Sequence, residues 1–260
     1  DKDLSHALAN DEFVLYFQPQ LDLNDSSINS VEALIRWQHP RRGLLPPVDF
    51  IPLAEESGRI TDIGRWVVMA ACRQLAKWQK GPYSHLRIAV NLSGRELDDE
   101  SIVDHIQEAL ESNGVPASRL EVELTEEIFI QNIEHNLNQL TKLHKLGVHL
   151  AIDDFGVGYS SLGYLRDFPV DLLKIDRSFI TDVTERHDDA VITRAVINLA
   201  HNLGIQVVAE GVETHEQLTF LKNHRCDLIQ GYLISRPIPA GELERALSAG
   251  LLEIDTPVGS

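Results

Sequence analysis

In the stretch AIDDFGVG (151–158), two adjacent carboxylates, Asp153 and Asp154, close an apolar run and lead into paired glycines. Neighbours on a strand point to opposite faces, and like charges this close repel, so two acids in series need a reason. Other apolar runs also end in polar residues. Asn91 ends AVN, Glu123 sits in VEL, Lys174 and Asp176 in LKID, Glu210 in VAE and Gln230 in IQ, while Glu32 lies between apolar neighbours in VEAL. One such residue alone is most often a helix cap or a turn former. A polar group at six successive run ends is a constellation. Carboxylates dominate it, with an amide and a lysine. Oxygen ligands of this kind suit Mg²⁺ or Mn²⁺, and so many crowded acids stay ionised together only beside cations. No HExxH or His/Cys cluster points to zinc, and His135, His144, His149 and His201 share no spacing, so each is expected to be structural or on the surface.

Holding such a constellation at one place falls to the chain's alternating elements. Short apolar runs read as strands at 13–21, 30–37, 86–91, 119–124, 148–153, 170–175, 205–210 and 227–230. Amphipathic stretches read as helices at 60–79, 133–146, 188–203 and 214–222. The first of these carries Ile63, Val67, Ala70, Ala71, Leu75 and Trp78 at helical spacing, and 188–203 carries Val191, Ile192, Ala195, Val196, Leu199 and Leu203. Eight strands with helices between them in 260 residues predict a (β/α)8 barrel, with an open doubly wound sheet as the main alternative. The first two strands are joined only by DLNDSSIN, too short for a parallel crossover, so they form a hairpin and one strand runs against the rest. In a barrel, the carboxyl ends of the parallel strands open on one face, where the polar run ends would meet.

The totals narrow the function classes. Hydrophobic residues make up 43% of the chain, enough for a real core, and the net charge of −17 argues against binding DNA or RNA polymers through a basic face. A small anionic substrate stays open if cations mediate. Cys72 and Cys226 have no CxxC partner, which suggests buried reduced thiols in a cytoplasmic protein. No apolar run approaches membrane-spanning length, and no signal peptide is seen. The chain starts directly in structured sequence, so a domain cut from a longer parent is expected, with any inner-membrane anchor outside it. The GVG at 156–158 lacks the full dinucleotide-binding spacing, and the DFG at 154–156 lacks the other kinase motifs, so the glycines read as hinges.

The sequence blocks together resemble one family. Glu32-Ala33-Leu34-Ile35-Arg36 is similar to the signature of EAL domains, bacterial phosphodiesterases of cyclic di-GMP. YFQPQLDL, EALIRWQHPRRGLLPPVDFIPLAEESG, AVNLSGREL, LEVELTE, AIDDFGVGYSSLGYL, LKIDRSFI, VVAEGVET and IQGYLISRPIP are similar to the family's blocks in the family's order. The resemblance implies a single domain over 1–260, with a barrel of about 11–248 having one antiparallel strand, and hydrolysis of cyclic di-GMP to linear pGpG with two Mg²⁺ or Mn²⁺ ions. By position, Glu32, Asn91, Glu123 and Asp153 match ligands of the first ion, and Asp153 and Asp154 ligands of the second, with Glu210 close by or ligating. Lys174 matches the lysine that holds the attacking water, and Glu126 the glutamate that anchors the loop opened by Asp154. Arg36 matches a phosphate contact. Gln18, Leu34, Asp176, Glu213 and Pro237 match the substrate region, and Gln230 a residue beside the metal. Two departures stand out: Val157 replaces a threonine in the loop, and Gly94 stands where alanine is common. The resemblance also implies a homodimer formed through the region after the aspartate pair, with the loop running to Tyr159 and the serines linking dimer state to activity. The alternative activity is a catalytically silent cyclic di-GMP receptor or interaction domain, which would show missing ligands.

Overall fold

The run FVLYFQPQLD, rich in aromatic and branched residues at its start, forms β1 (Phe13–Asp22), and a tight turn returns the chain as β2 (Ile28–His39). Asp22 and Asp25 build that turn, each accepting a 2.8 Å hydrogen bond from a backbone N–H two residues on, at Asn24 and Ser27. β1 pairs antiparallel with β2, as the short connection requires. The remaining barrel strands are β4 (Arg87–Asn91), β5 (Leu120–Thr125), β6 (His149–Phe155), β7 (Leu172–Ile175), β8 (Gln206–Ala209) and β9 (Leu228–Gln230), paired parallel in that order from β2. β9 then pairs antiparallel with β1 and closes an eight-stranded barrel in which β1 alone runs against its neighbours. Two short strands lie outside the closed ring: β3 (Gly43–Leu45) on β2 and β10 (Ile238–Pro239) on β1. The computed structural model describes residues 2–129, 131–157 and 165–252. None of its helices is long and apolar enough to cross a membrane, among the described residues.

Strand alternation divides the barrel interior. Two residues before Asp153, Lys174, Glu210 and Gln230 stand Ala151, Leu172, Val208 and Leu228, which form a buried apolar cluster of their own. The opposite wall is polar at this depth, with Gln20, Ser30 and Glu121 at 4% exposure or less. There Glu121 pairs with Arg87 at 2.9 Å. Helices cover the outside. The helix Ile60–Trp78 buries Ile63, Val67, Ala71, Leu75 and Trp78, as its spacing predicts, with Val68 and Cys72 in place of the expected Ala70. The helix His187–Asn202 is turned from the expected face. It buries Thr193, Val196, Ile197 and Ala200, and leaves Val191, Ile192, Ala195 and Leu203 exposed. Thr193 reads as polar, yet its hydroxyl reaches the Phe179 carbonyl at 3.5 Å, which lets it sit inside. Both cysteines are buried and free, and burial pushes both thiols up to about 12.

The histidines singled out in the sequence take structural partners. His201 meets Asp227 at 2.8 Å, His135 meets the Leu97 carbonyl at 3.2 Å, and His144 and His149 flank Asp171 at 3.7 and 3.6 Å. Asp171 also accepts from the Leu150 N–H at 2.9 Å, which ties β6 to the start of β7. Burial would raise its carboxyl, but the bonds from His149 and Leu150 outweigh that and hold it below the ordinary value. A depressed acid contributes stability above its unfolded pKa and loses it as pH falls through the folded one. We therefore expect Asp171→Asn, which keeps an acceptor but loses the charge, to cost about 1 kcal/mol near neutral pH. Urea unfolding at a series of pH values should show the two proteins converging below the ordinary carboxylate range.

Candidate metal centre

The aspartate pair sits in a deformed strand. β6 does not stop at Asp153 but runs on to Phe155, and its register against β7 shifts between Ile152 and Phe155. Asp154 itself takes the left-handed conformation, with φ 53°. Aspartate tolerates that region better than most residues, and one residue there breaks the alternation. The re-aiming expected of the glycines is thus done by Asp154. Gly156, with φ 100°, serves a close approach instead, because a side chain there would come within 2.9 Å of the Phe179 ring. The Gly156 N–H donates to Glu126 Oε2 at 3.0 Å, so a buried glutamate on the neighbouring element holds the bulge.

Lys174 is the hub. Its fully buried ammonium lies 2.8 Å from Glu210, 2.9 Å from Glu123, 3.2 Å from Asp153 and 3.6 Å from Glu32. Burial disfavours the charged lysine, but these four acids outweigh it and hold its pKa well above the ordinary value. Glu32 is pulled the other way. Burial would raise it, yet Lys174 and hydrogen bonds from Gln230 (2.6 Å) and Asn91 (2.7 Å) keep it below its usual range. Asn91 spends its Nδ2 on Glu32, so its Oδ1 is the atom it could offer to a cation. Asp153, Asp154 and Glu210 bring one carboxylate oxygen each to within 4.8 Å of one another. Burial pushes Glu123 well above the usual range and Glu210 up to about 7, with Asp153 adding to both against the pull of Lys174. Burial and the neighbouring Asp153 and Asp176 raise Asp154.

This donor set fits divalent cations. Four carboxylates surround one ammonium and a fifth, Asp154, joins two of them, leaving an excess of negative charge that a single lysine does not balance. Glu123 Oε1 is buried and has no hydrogen-bond partner, the condition of an oxygen built to meet something else. The donors are oxygens throughout, which suits hard cations rather than zinc.

The expected substrate residues distribute less evenly. Gln18 is buried beside Gln230, 3.1 Å from its Nε2, and donates to the Ser235 carbonyl at 3.1 Å. Arg36 is half-buried on β2 with its guanidinium 5.6 Å from the Tyr16 ring centre, and Leu34 and Asn91 line a cavity of about 470 Å³ that extends to Gly64. Asp176 caps the helix Arg177–Thr181, accepting from Ser178 N at 3.0 Å, so the turn-and-cap reading holds for it even though it also faces Asp154. Glu213 is exposed and Pro237 half-buried on the segment between β9 and β10. Tyr159 and the serines at 160 and 161 lie outside the described residues. The two departures differ in consequence. A Cβ on Gly94 would sit 3.5 Å from Ile128, ordinary contact, so the glycine is neutral, whereas Val157 is 64% exposed at the edge of the bulge. Gln20 and Ser30, which the sequence motifs do not single out, both join the hydrogen bonds of the site. A signal for them exists: Gln20 stands two residues from Gln18, and Ser30 two from Glu32, so each shares its neighbour's face.

Known proteins carry the same arrangement of sequence. A family model described as "EAL domain" matches residues 1–237. Cyclic di-GMP phosphodiesterase NbdA of Pseudomonas aeruginosa is 45% identical over 260 residues, which is 100% of this chain and 33% of that protein. Cyclic di-GMP phosphodiesterase PdeR of Escherichia coli is 42% identical over 246 residues, 94% of this chain and 37% of that protein. The chain thus spans about a third of the length of the curated relatives it matches. A solved structure, the PaMucR phosphodiesterase in complex with c-di-GMP, superposes with a TM-score of 0.90 at 42% identity, over 93% of this chain and 98% of that one.

Proposed function

Because the chain belongs to the EAL domain family, we propose that it hydrolyses one phosphodiester of cyclic di-GMP to give linear pGpG. The observation that carries this reading is the complete set of acids around Lys174, with no ligand position replaced by an inert residue. Glu32, Asn91, Glu123 and Asp153 would hold one Mg²⁺ or Mn²⁺, and Asp153, Asp154 and Glu210 a second. When bound, such ions supply the positive charge and Lewis acidity that make water a nucleophile toward a phosphodiester at neutral pH.

The residues of the chain do the rest. Lys174 holds the attacking water in line with the phosphorus and offsets charge on the phosphoryl oxygens. Water gives up a proton and its oxygen bonds to phosphorus, the bond from phosphorus to the 3′-oxygen breaks, and that oxygen takes a proton from solvent, which yields a 5′-phosphate and a free 3′-hydroxyl. Glu210, 2.8 Å from Lys174, accepts the proton of the water or serves as a ligand. Arg36 contacts a phosphate, while Gln18, Leu34, Asp176, Glu213 and Pro237 line the substrate and Gln230 faces Glu32. Glu126 keeps the bulge closed through Gly156. A homodimer joined through the region after the aspartate pair is part of this reading, and light scattering that reports a monomer at high concentration would remove that part.

Chromatography of cyclic di-GMP incubated with the protein tests the proposal. We expect pGpG with Mg²⁺ or Mn²⁺ and none with EDTA. Tight binding of cyclic di-GMP with no pGpG in either metal would make the chain a receptor instead.

A further inference from the structure

Beneath the metal centre lies a chain of amides whose direction is fixed. The register of three strands sets Gln20 opposite both Ser30 of β2 and Gln230 of β9, and Gln18 opposite Glu32. All five side chains are 8% exposed or less. Ser30 Oγ donates to Gln20 Oε1 at 2.6 Å, Gln20 Nε2 donates to Gln230 Oε1 at 3.0 Å, and Gln230 Nε2 donates to Glu32 Oε2 at 2.6 Å. Gln230 Nε2 also reaches Gln18 Oε1 at 3.1 Å.

Chemistry allows only this polarity. An ionised Glu32 accepts and never donates, so it demands the NH₂ of Gln230. That leaves Gln230 Oε1 facing Gln20, which must answer with its own NH₂. Gln20 Oε1 then needs a donor, and the Ser30 hydroxyl supplies one. Turning Gln230 over would set its oxygen against Glu32 and its nitrogen against the Gln20 NH₂, and turning Gln20 over would set its oxygen against Gln230 Oε1, each a costly arrangement at this depth. On the other side, Asn91 Nδ2 fixes Glu32 Oε1.

We propose that Gln20, backed by Ser30, is a positioning residue for the metal centre: it locks the Gln230 amide with its N–H toward Glu32 and so holds that carboxylate in its ligating orientation. The inference rests on the metal reading given above. It acts on affinity for the ion and leaves the chemical step alone, because Gln20 is fully buried and its amide is engaged by Ser30 and Gln230. Partners of this outer kind are typically worth about 10- to 100-fold in metal affinity.

The test is titration calorimetry of the substrate-free protein with Mn²⁺, beside kinetics at saturating Mn²⁺. Gln20→Met keeps the volume and removes both hydrogen bonds, so we expect the Mn²⁺ Kd to rise about tenfold while kcat at saturation stays within about threefold. Ser30→Ala, which removes the donor to Gln20 Oε1 and keeps the bond from Gln20 to Gln230, should raise Kd in the same direction by less. Folded Gln20→Met with the wild-type Kd overturns the proposal, as does a loss of kcat with Kd unchanged. If Gln20→Met fails to fold, an unchanged Kd in Ser30→Ala overturns it. If the wild-type protein binds no Mn²⁺, the metal reading fails on its own. The relay is then read from the Gln230 side-chain NH₂ resonances, which must shift in Ser30→Ala, and unmoved resonances overturn it.

Discussion

Lys174→Met is expected to lower the turnover of cyclic di-GMP by about a hundredfold or more, the usual cost of losing one aimed charge at a reacting centre. The side chain is buried at the centre of four acids, so methionine fills similar space and removes only the ammonium. Two consequences separate this from plain damage. The acids left behind repel one another more, so the variant is less stable without metal. Divalent cations can still neutralise them, so its thermal midpoint should rise on adding Mn²⁺ by more than the wild type's does. Rate is read by pGpG formation at saturating Mn²⁺ and stability by scanning calorimetry. Turnover within about threefold of wild type would remove Lys174 from the mechanism.

Much of this centre is legible in the sequence because strand ends and barrel geometry are linked by simple rules. A polar residue that closes an apolar run stands at the carboxyl end of its strand, and a closed barrel gathers those ends. Glu123, Asp153, Lys174 and Glu210 follow from that, whereas Glu32 sits inside its run and is marked by the EAL-like block, and the hairpin of β1 and β2 follows from a link too short to cross over. What stays hidden depends on pairing and on single dihedrals. Gln20 matters through its register with Ser30 and Gln230, and register between strands far apart in sequence is not written in either strand. The left-handed Asp154 is a choice of one residue that propensity leaves open. The helix His187–Asn202 departs from its apparent face because apolar side chains lie on more than one side and a threonine with a carbonyl partner takes the core position. β3 and β10, of three and two residues, are too short to show a period.

Asp153→Asn should be as damaging as the loss of the lysine, for a different reason. Asp153 and Glu210 both face Lys174, at 3.2 and 2.8 Å, and both bring an oxygen to the carboxylate group that includes Asp154, but only Asp153 is matched to ligands of both ions. In the proposed assignment it serves both ions, so removing its charge weakens both sites together. A change at Glu32 or Asp154 reaches only one of them. We expect turnover to fall by about a hundredfold or more and the fall to persist at high Mn²⁺, because asparagine keeps the shape but lacks the charge that draws two cations close. Asp154→Asn should instead be partly rescued by raising Mn²⁺. Calorimetry separates the cases: Asp153→Asn loses the tighter and the weaker binding event alike, whereas Asp154→Asn keeps one. The backbone supplies a further control, since Asp153 Oδ1 accepts the Asp154 N–H at 3.0 Å and an asparagine oxygen can still do so. The bulge therefore survives in Asp153→Asn, and a lost activity reports the charge rather than the strand. Full turnover by this variant at any Mn²⁺ concentration would mean that Asp153 does not serve both ions.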